Sequence, residues 1–516
     1  MREQFDRLSE EERSDLHATF RERFEQFTEL AARENDPELL AYAYGLWLRQ
    51  KAVLLNTSNQ IKQRIIKSGD RKLIALYDQV QELRQSTGFA LSLSPEDQKK
   101  RGISADSLQQ VLQDKDRQLT ELSLRYFTPE APATWQNVQE NLGKKEAVVD
   151  IVRYRRYDYQ KQKFTDTTYY MAFVLTPKSK SIEIIHYPDG NFLEQEAIKY
   201  YKNAIRFQVK DQKSYAHFWL PLQKILAKYD KVYFSADGVF HQINVATLYN
   251  TETQTYLSDE KEIAQLTSGR DLLAVRQTPL ASRSALLIGN PNFGQDLEPQ
   301  PRERAGILPL PGTAKEVQQI ADLMKQNQWQ VQTFLDTEAK EQAIKEMLKP
   351  NVLHIATHGY FAEDTKGRFT YLTNPLFRSG ILLTGAAKTL AEGQYLRSNV
   401  ELGIEDGILT AFETMNLNID NTDLVVLSAC ETGLGEIRNG EGVFGLQRAF
   451  IVAGARSVLM SLWKVDDTAT QQLMTEFYRQ WLSGKPKRQA FKAAQDALRK
   501  QRPEPYYWGA FLMVGE

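Results

Sequence analysis

The sequence predicts an α/β protein built on a parallel-rich sheet with helices on both faces, preceded by an α-helical N-terminal region and a β-rich segment. Three observations lead there. Beyond about residue 281, continuous apolar runs such as Leu424-Val425-Val426-Leu427 alternate with segments of helical periodicity, the pattern of buried strands joined by crossover helices. Between about 146 and 280, runs rich in β-formers are separated by short turn clusters. Before about 145, apolar residues recur at spacings of three and four with few turn signals.

Composition narrows the function classes. A chain of 516 residues accommodates roughly two to four domains. Its 65 basic and 66 acidic residues leave a net charge of −1, so no global field draws it to nucleic acid or a membrane surface, and neither is expected as a partner. Cys430 is its only cysteine, which excludes a disulfide framework and a Cys-rich zinc site and suits a reducing compartment. The first residues lack the basic-then-apolar order of a signal peptide, and no apolar run approaches the ~20 residues of a membrane span. A cytoplasmic location is therefore expected.

Residues 1–145 read as a helical adaptor region. Ser9 ahead of three glutamates is a helix start; Phe20, Phe24 and Phe27 form one stripe; and Asn35-Asp36-Pro37 ends one helix and begins another containing Leu40, Ala43 and Trp47. Leu73, Leu76 and Val80 mark a third helix, and a charged one runs from 104 to about 124. These stripes are packing surfaces, and no 34-residue repeat is visible among them. Residues 146–280 carry strands near 147–152, 168–175, 181–186 and 231–235, with a helix around Phe218, Trp219 and Leu222. His186, His217 and His241 lack ligand-like spacing and read as structural. In 281–516 strands are expected at 285–289, 329–334, 352–357, 424–429 and 457–462, and helices at 313–324, 339–348, 443–453 and 468–482.

In such sheets function gathers at the carboxyl ends of the strands, and two reactive side chains fall there: His358 after the 352–357 run and Cys430 after the 424–429 run. A thiol is a weak nucleophile at neutral pH unless a neighbour accepts its proton. Histidine is the usual partner and can then protonate a leaving amine. The amides of Gly359 and Cys430 can supply an oxyanion hole, and the glycines from Gly433 to Gly442 let a substrate backbone pass closely. A lone buried cysteine is ordinarily a small hydrophobe; the coincidence of two such residues at strand ends of one sheet favours a dyad. His354 and His358 have the spacing of helical zinc ligands but lie on a strand, without the accompanying Glu or a third ligand, so no metal is expected. Gly440-Glu441-Gly442-Val443-Phe444-Gly445 matches a dinucleotide fingerprint but starts well past the strand end where such a loop belongs. With no phosphate-cradling G-x-x-x-x-G-K-[ST] loop either, no cofactor is expected.

The run ending in His358-Gly359 and the run ending in Ala429-Cys430 resemble the caspase-like cysteine peptidases, a group that includes caspases, gingipains, legumains and separase. Leu427-Ser-Ala-Cys-Glu-Thr-Gly433, Gly440-Glu-Gly442, Ala453-Gly-Ala455, Leu462-Trp-Lys-Val-Asp466, Asn374-Pro-Leu376 and the closing Tyr507-Trp-Gly-Ala-Phe511 resemble more specifically a CHAT domain, over about 145–516. The resemblance implies a caspase-like catalytic domain over 281–516, with 146–280 as its β-rich, pseudo-protease-like or sheet-extending N-terminal part. It implies His358 as general base and acid, Cys430 as nucleophile, and the Gly359 and Cys430 amides as oxyanion donors. The activity implied is a cysteine endopeptidase forming a thioester acyl-enzyme on protein substrates, conditionally active; a catalytically silent scaffold of the same fold is the alternative. Such domains are bacterial modules commonly attached to tetratricopeptide repeats, so a regulatory protein or an upstream repeat array is an implied partner. Relatives that cut after basic residues read them with an acid. Asp466 and Asp467 are placed for that role or for capping the following helix; Glu431 and Glu441 are further candidates. The polar segment 363–421 is expected to be an irregular specificity or processing loop.

Overall fold

The computed structural model describes residues 8, 10–51, 53–92, 95–126, 133–273, 282–294, 307–347, 349–361, 375–391, 406–420, 422–429, 432–433, 435–438 and 440–515. Eleven strands form one sheet: β1 (Glu146–Asp158), β2 (Lys163–Leu175), β3 (Glu183–Tyr187), β4 (Lys231–Ser235), β5 (Glu262–Leu266), β6 (Ser284–Pro291), β7 (Gln330–Asp336), β8 (Val352–Ala356), β9 (Leu424–Ser428), β10 (Ser457–Ser461) and β11 (Phe511–Gly515). Their spatial order is β3-β2-β1-β4-β5-β11-β10-β9-β8-β6-β7.

Two parallel blocks meet in the middle. Strands β7, β6, β8, β9 and β10 run parallel to one another, as do β1, β4, β5 and β11. Antiparallel pairing of β10 with β11 joins the blocks, from Ser457↔Gly515 to Ser461↔Phe511. At the far edge β2 and β3 pair antiparallel.

Alternation along the buried strands builds a core on each face. Val352, Val426 and Leu459 pack on one face with Val317 and Ile320 of the Pro311–Gln326 helix and Leu473 and Phe477 of the Asp467–Leu482 helix. Leu353, Ile355, Val425 and Leu427 pack on the other with Leu446, Ala449 and Phe450 of the Leu446–Ala453 helix.

The N-terminal helices (Glu10–Glu34, Pro37–Gln50, Val53–Ser68, Arg71–Ser92 and Ala105–Ser123) precede the sheet. Asp36 caps the second, its side chain accepting from the amides of Glu38 and Leu39, each at 2.9 Å; Ser9 lies outside the described residues. Leu40, Ala43, Tyr44 and Trp47 cover Val148, Val152, Met171 and Phe173 on one face of β1 and β2. Among the described residues no helix is long and apolar enough to cross a membrane.

Three expectations need correction. The helix expected at 443–453 begins at Leu446, because Glu436–Arg438 and Gly442–Phe444 first form a hairpin. Gly440 in its turn and Gly442 at the start of its second strand lie at φ of +76° and +85°, the left-handed region that glycine enters without penalty. The helix expected at 339–348 is confined to Glu341–Lys345. The segment expected to be irregular contains strands Ser379–Leu382 and Ile408–Thr410, which complete a three-stranded sheet with His358–Phe361. Residues 363–374, 392–405 and 421 of that segment lie outside the described residues.

Candidate functional site

Strands β8 and β9 are parallel neighbours in register from Val352↔Leu424 to Ala356↔Ser428. His358 stands two residues past Ala356, and Cys430 two residues past Ser428. Cys430 and Glu431 lie outside the described residues, so the site is built from His358 and from the chain on either side of the cysteine.

His358 opens the short His358–Phe361 strand. Its Nε2 is 2.8 Å from the Leu308 carbonyl oxygen. A carbonyl only accepts, so Nε2 carries the hydrogen, and the neutral ring keeps its lone pair on Nδ1. Phe293 packs against the ring, with centroids 5.4 Å apart, and Thr357 Oγ1 donates to the Leu382 carbonyl, fixing the backbone just ahead of the histidine. Gly359 sits beside Ile381 in the small sheet. The Leu308 carbonyl was not legible in the sequence, because any residue could supply it.

Residues flanking Cys430 are tied to Ser461 at the end of β10. Ser461 Oγ donates to the Ala429 carbonyl at 2.5 Å, the Gly433 amide donates to the Ser461 carbonyl at 2.7 Å, and the Ser461 amide donates to Thr432 Oγ1 at 3.2 Å. A Cβ on Gly433 would stand 2.8 Å from that carbonyl oxygen, so close approach demands glycine here. Thr432 and Ser461 carried no sequence signal of this role.

A narrow cleft of about 20 Å³ joins His358 to Ser428, Ala429, Leu310, Glu316 and Asp467. Ser428 Oγ is buried there without a hydrogen-bond partner among the described residues. Asp467, at the mouth, has its carboxyl pushed up by burial and by Asp466, with His358 opposing. Asp466 instead caps the helix, accepting from the Ala469 amide at 2.8 Å. Glu441 is buried away from this cleft, 3.1 Å from Arg448 Nη1 and 3.4 Å from His17 Nε2.

Behind the cleft His354 is fully buried, with Nε2 3.0 Å from Glu316 Oε1 and Nδ1 3.2 Å from the Tyr478 hydroxyl. That network fastens β8 to both helices walling the cleft. His241 is a structural histidine, held down to about 3 by burial and by Lys51; burial also lowers His186 and His217. Among the described residues no group of three or more His, Cys, Asp or Glu is arranged to hold a metal.

Tetratricopeptide repeat protein 28 of Homo sapiens is 24% identical over 304 residues, covering 54% of this chain and 12% of that protein. Its Mus musculus counterpart is 24% identical over 306 residues with the same coverage. The chain therefore spans only a small part of the curated relatives it matches. Among solved structures, the Arg-specific cysteine proteinase gingipain R is 10% identical with a TM-score of 0.36, covering 62% of this chain and 75% of its own. The Saccharomyces cerevisiae separase–securin complex is 11% identical with a TM-score of 0.39, covering 80% and 33%. The CHAT domain family model matches residues 212–516, more than half of the sequence and all of the strands that form the site, and the chain belongs to the CHAT-domain family.

Proposed function

We propose that the chain is a cysteine endopeptidase acting on protein substrates, with Cys430 as nucleophile and His358 as base and acid. The observation that supports the reading is the β8–β9 register, which pairs Ala356 with Ser428, the residues two positions before His358 and Cys430 in the sequence. His358 Nδ1 takes the thiol proton, and the thiolate attacks the scissile carbonyl carbon. The amides of Gly359 and Cys430 hold the oxyanion. Collapse expels the amine, which takes the proton from His358 and leaves a thioester on Cys430. Water, deprotonated by His358, then attacks the thioester and releases the acid and the thiol. Throughout, the Leu308 carbonyl accepts from Nε2 and keeps the ring oriented as it charges.

Asp467, at the mouth of the cleft, is the acid that reads a basic residue before the cut. The hairpin after Cys430 rims the groove. The curated relatives are tetratricopeptide repeat proteins by name, which supports control by a protein partner or repeat array; the single cysteine fits work in a reducing cytoplasm. The test incubates the wild type and Cys430→Ala with a diverse peptide library, read by mass spectrometry. Wild-type-only cleavage products are expected. Indistinguishable digests under every activating condition would leave a silent scaffold as the function.

A further inference from the structure

A cavity of about 270 Å³ lies between the N-terminal helices and the sheet. The Glu10–Glu34 helix lends it Arg21 and Phe24, the Pro37–Gln50 helix lends Trp47, β1 lends Arg153 and Arg155, and Gly440 closes one side. Arg153 and Arg155 are two apart on a strand, so both rise from one face. Each spends Nε and Nη2 on a carboxylate: Arg153 on Glu194 at 2.5 and 3.2 Å, Arg155 on Glu25 at 2.9 and 2.7 Å. Among the described residues Nη1 of each has no hydrogen-bond partner, and Arg21 has no acid paired with it. The indole N–H of Trp47 is already donated to Thr28 Oγ1 at 2.9 Å. Trp47 therefore offers the cavity only its apolar surface, as does Phe24.

We propose that this cavity binds a small molecule consisting of a flat ring that carries an oxyanion, either carboxylate or phosphate. The ring packs on Trp47 and Phe24, and the anion takes the unspent guanidinium donors, whose planar fork suits both oxyanions. A bare anion would leave the aromatic walls unused, and a neutral ring would leave the unspent guanidinium donors that line the cavity unused. The ligand would also touch the hairpin that follows Cys430. Gly440 forms part of the wall, its amide donates to Asp237 Oδ1 at 3.0 Å, and its Cα lies so near Trp47 that a Cβ would stand 3.0 Å from the ring. The next residue, Glu441, is held by Arg448 and His17. Occupancy thus steadies Gly440 and the strand Gly442–Phe444 from the side of the N-terminal helices, and the binding inference stands whether or not the chain cleaves peptides.

The full chain is titrated calorimetrically with indole-3-carboxylate and with phenyl phosphate, and with indole and inorganic phosphate as the separate halves. At least one of the two ring-bearing anions is expected to bind about tenfold or more tightly than either half, and the one preferred identifies the oxyanion. Arg21 is exposed, so Arg21→Gln should fold and weaken that binding about tenfold, as loss of a charge-assisted contact does. Amide exchange across 436–444 should slow several-fold on binding. Failure of both ring-bearing anions to bind, or wild-type affinity in Arg21→Gln, would overturn the site; binding with unchanged exchange would overturn its link to the hairpin.

Discussion

Asp466 and Asp467 are adjacent in sequence but face different tasks. Asp466 uses its carboxylate on the Ala469 amide, so Asp466→Ala should cost about 1 kcal/mol in urea denaturation and leave peptide preference unchanged. Asp467 makes no such cap and sits with His358 in the cleft. Asp467→Asn should leave the urea midpoint nearly unchanged while lowering kcat/KM for peptides with Arg before the cut at least about tenfold relative to Leu, the loss expected for a contact to a charged group. An unaltered Arg-to-Leu ratio would remove Asp467 from the pocket. Ser461 donates to the carbonyl just before Cys430, and under the proposed mechanism it is a positioning residue. Ser461→Ala should lower kcat about tenfold with little change in KM, whereas a merely structural role would show in the urea midpoint alone. The capping alternative for Asp466 was legible because N-cap chemistry is local. The Leu308 carbonyl and Ser461 were not, because a backbone oxygen has no sequence signature and a serine at a strand end is commonplace.

Among the elements, the small sheet beside His358 carries an unusual charge arrangement. Gly407, leading into Ile408–Thr410, donates its amide to Glu341 Oε1 at 2.7 Å, and Lys345 bridges Glu341 and Glu413 at 2.7 and 3.3 Å. Asp406 completes a group of three carboxylates facing this one lysine. Burial, then Glu341 and Glu413, push Asp406 up to about 8 from an ordinary 3.8, and Glu413 is raised as well by burial and Glu341. A folded-state value above the unfolded one means the folded chain holds its proton more tightly. The stability tied to that proton is fully present below pH 3.8 and is lost as pH rises through 8. Thermal midpoints should therefore fall between pH 5 and 9, and Asp406→Asn should flatten that fall; an identical slope in the variant would show that other groups set it. This sheet was not legible in the sequence, since strands of three and four residues are too short to display alternation. The hairpin after Cys430 was misread for a similar reason: Val443 and Phe444 run almost straight into the apolar stripe of the next helix, and only the extended Gly445 separates the two. The long buried strands β8 and β9, by contrast, were plain from their unbroken apolar runs.

At the scale of the whole molecule, the N-terminal helices form part of the sheet's covering. Val148, Val152, Met171, Phe173 and Leu175 of β1 and β2 are buried in the cluster that contains Leu40, Ala43, Tyr44 and Trp47. Polar ties reinforce it: the Tyr44 hydroxyl donates to Asp150 Oδ2 at 2.7 Å, and Lys51 Nζ reaches the carbonyls of Ile151 and Ser235 at 3.1 and 3.3 Å. Farther along, Lys62 Nζ donates to the Ala453 carbonyl at 2.6 Å, at the end of the helix that follows the hairpin. Burying a large apolar side chain contributes roughly 1.5–3 kcal/mol, so uncovering these five would forfeit up to about 8–15 kcal/mol, an upper estimate that matches the whole stability of a typical domain. Removing the helices would also leave Asp150 without Lys51 and Tyr44, a buried carboxylate with the Gly269 amide still donating to it but no cation beside it. A chain beginning at Gly143 should therefore bind an apolar-sensing dye and show no cooperative urea transition, while the full chain shows one. A cooperative transition of the shortened chain at the full-length midpoint would mean that the helices only rest on the sheet, and that control through the Gly440 hairpin must come from elsewhere.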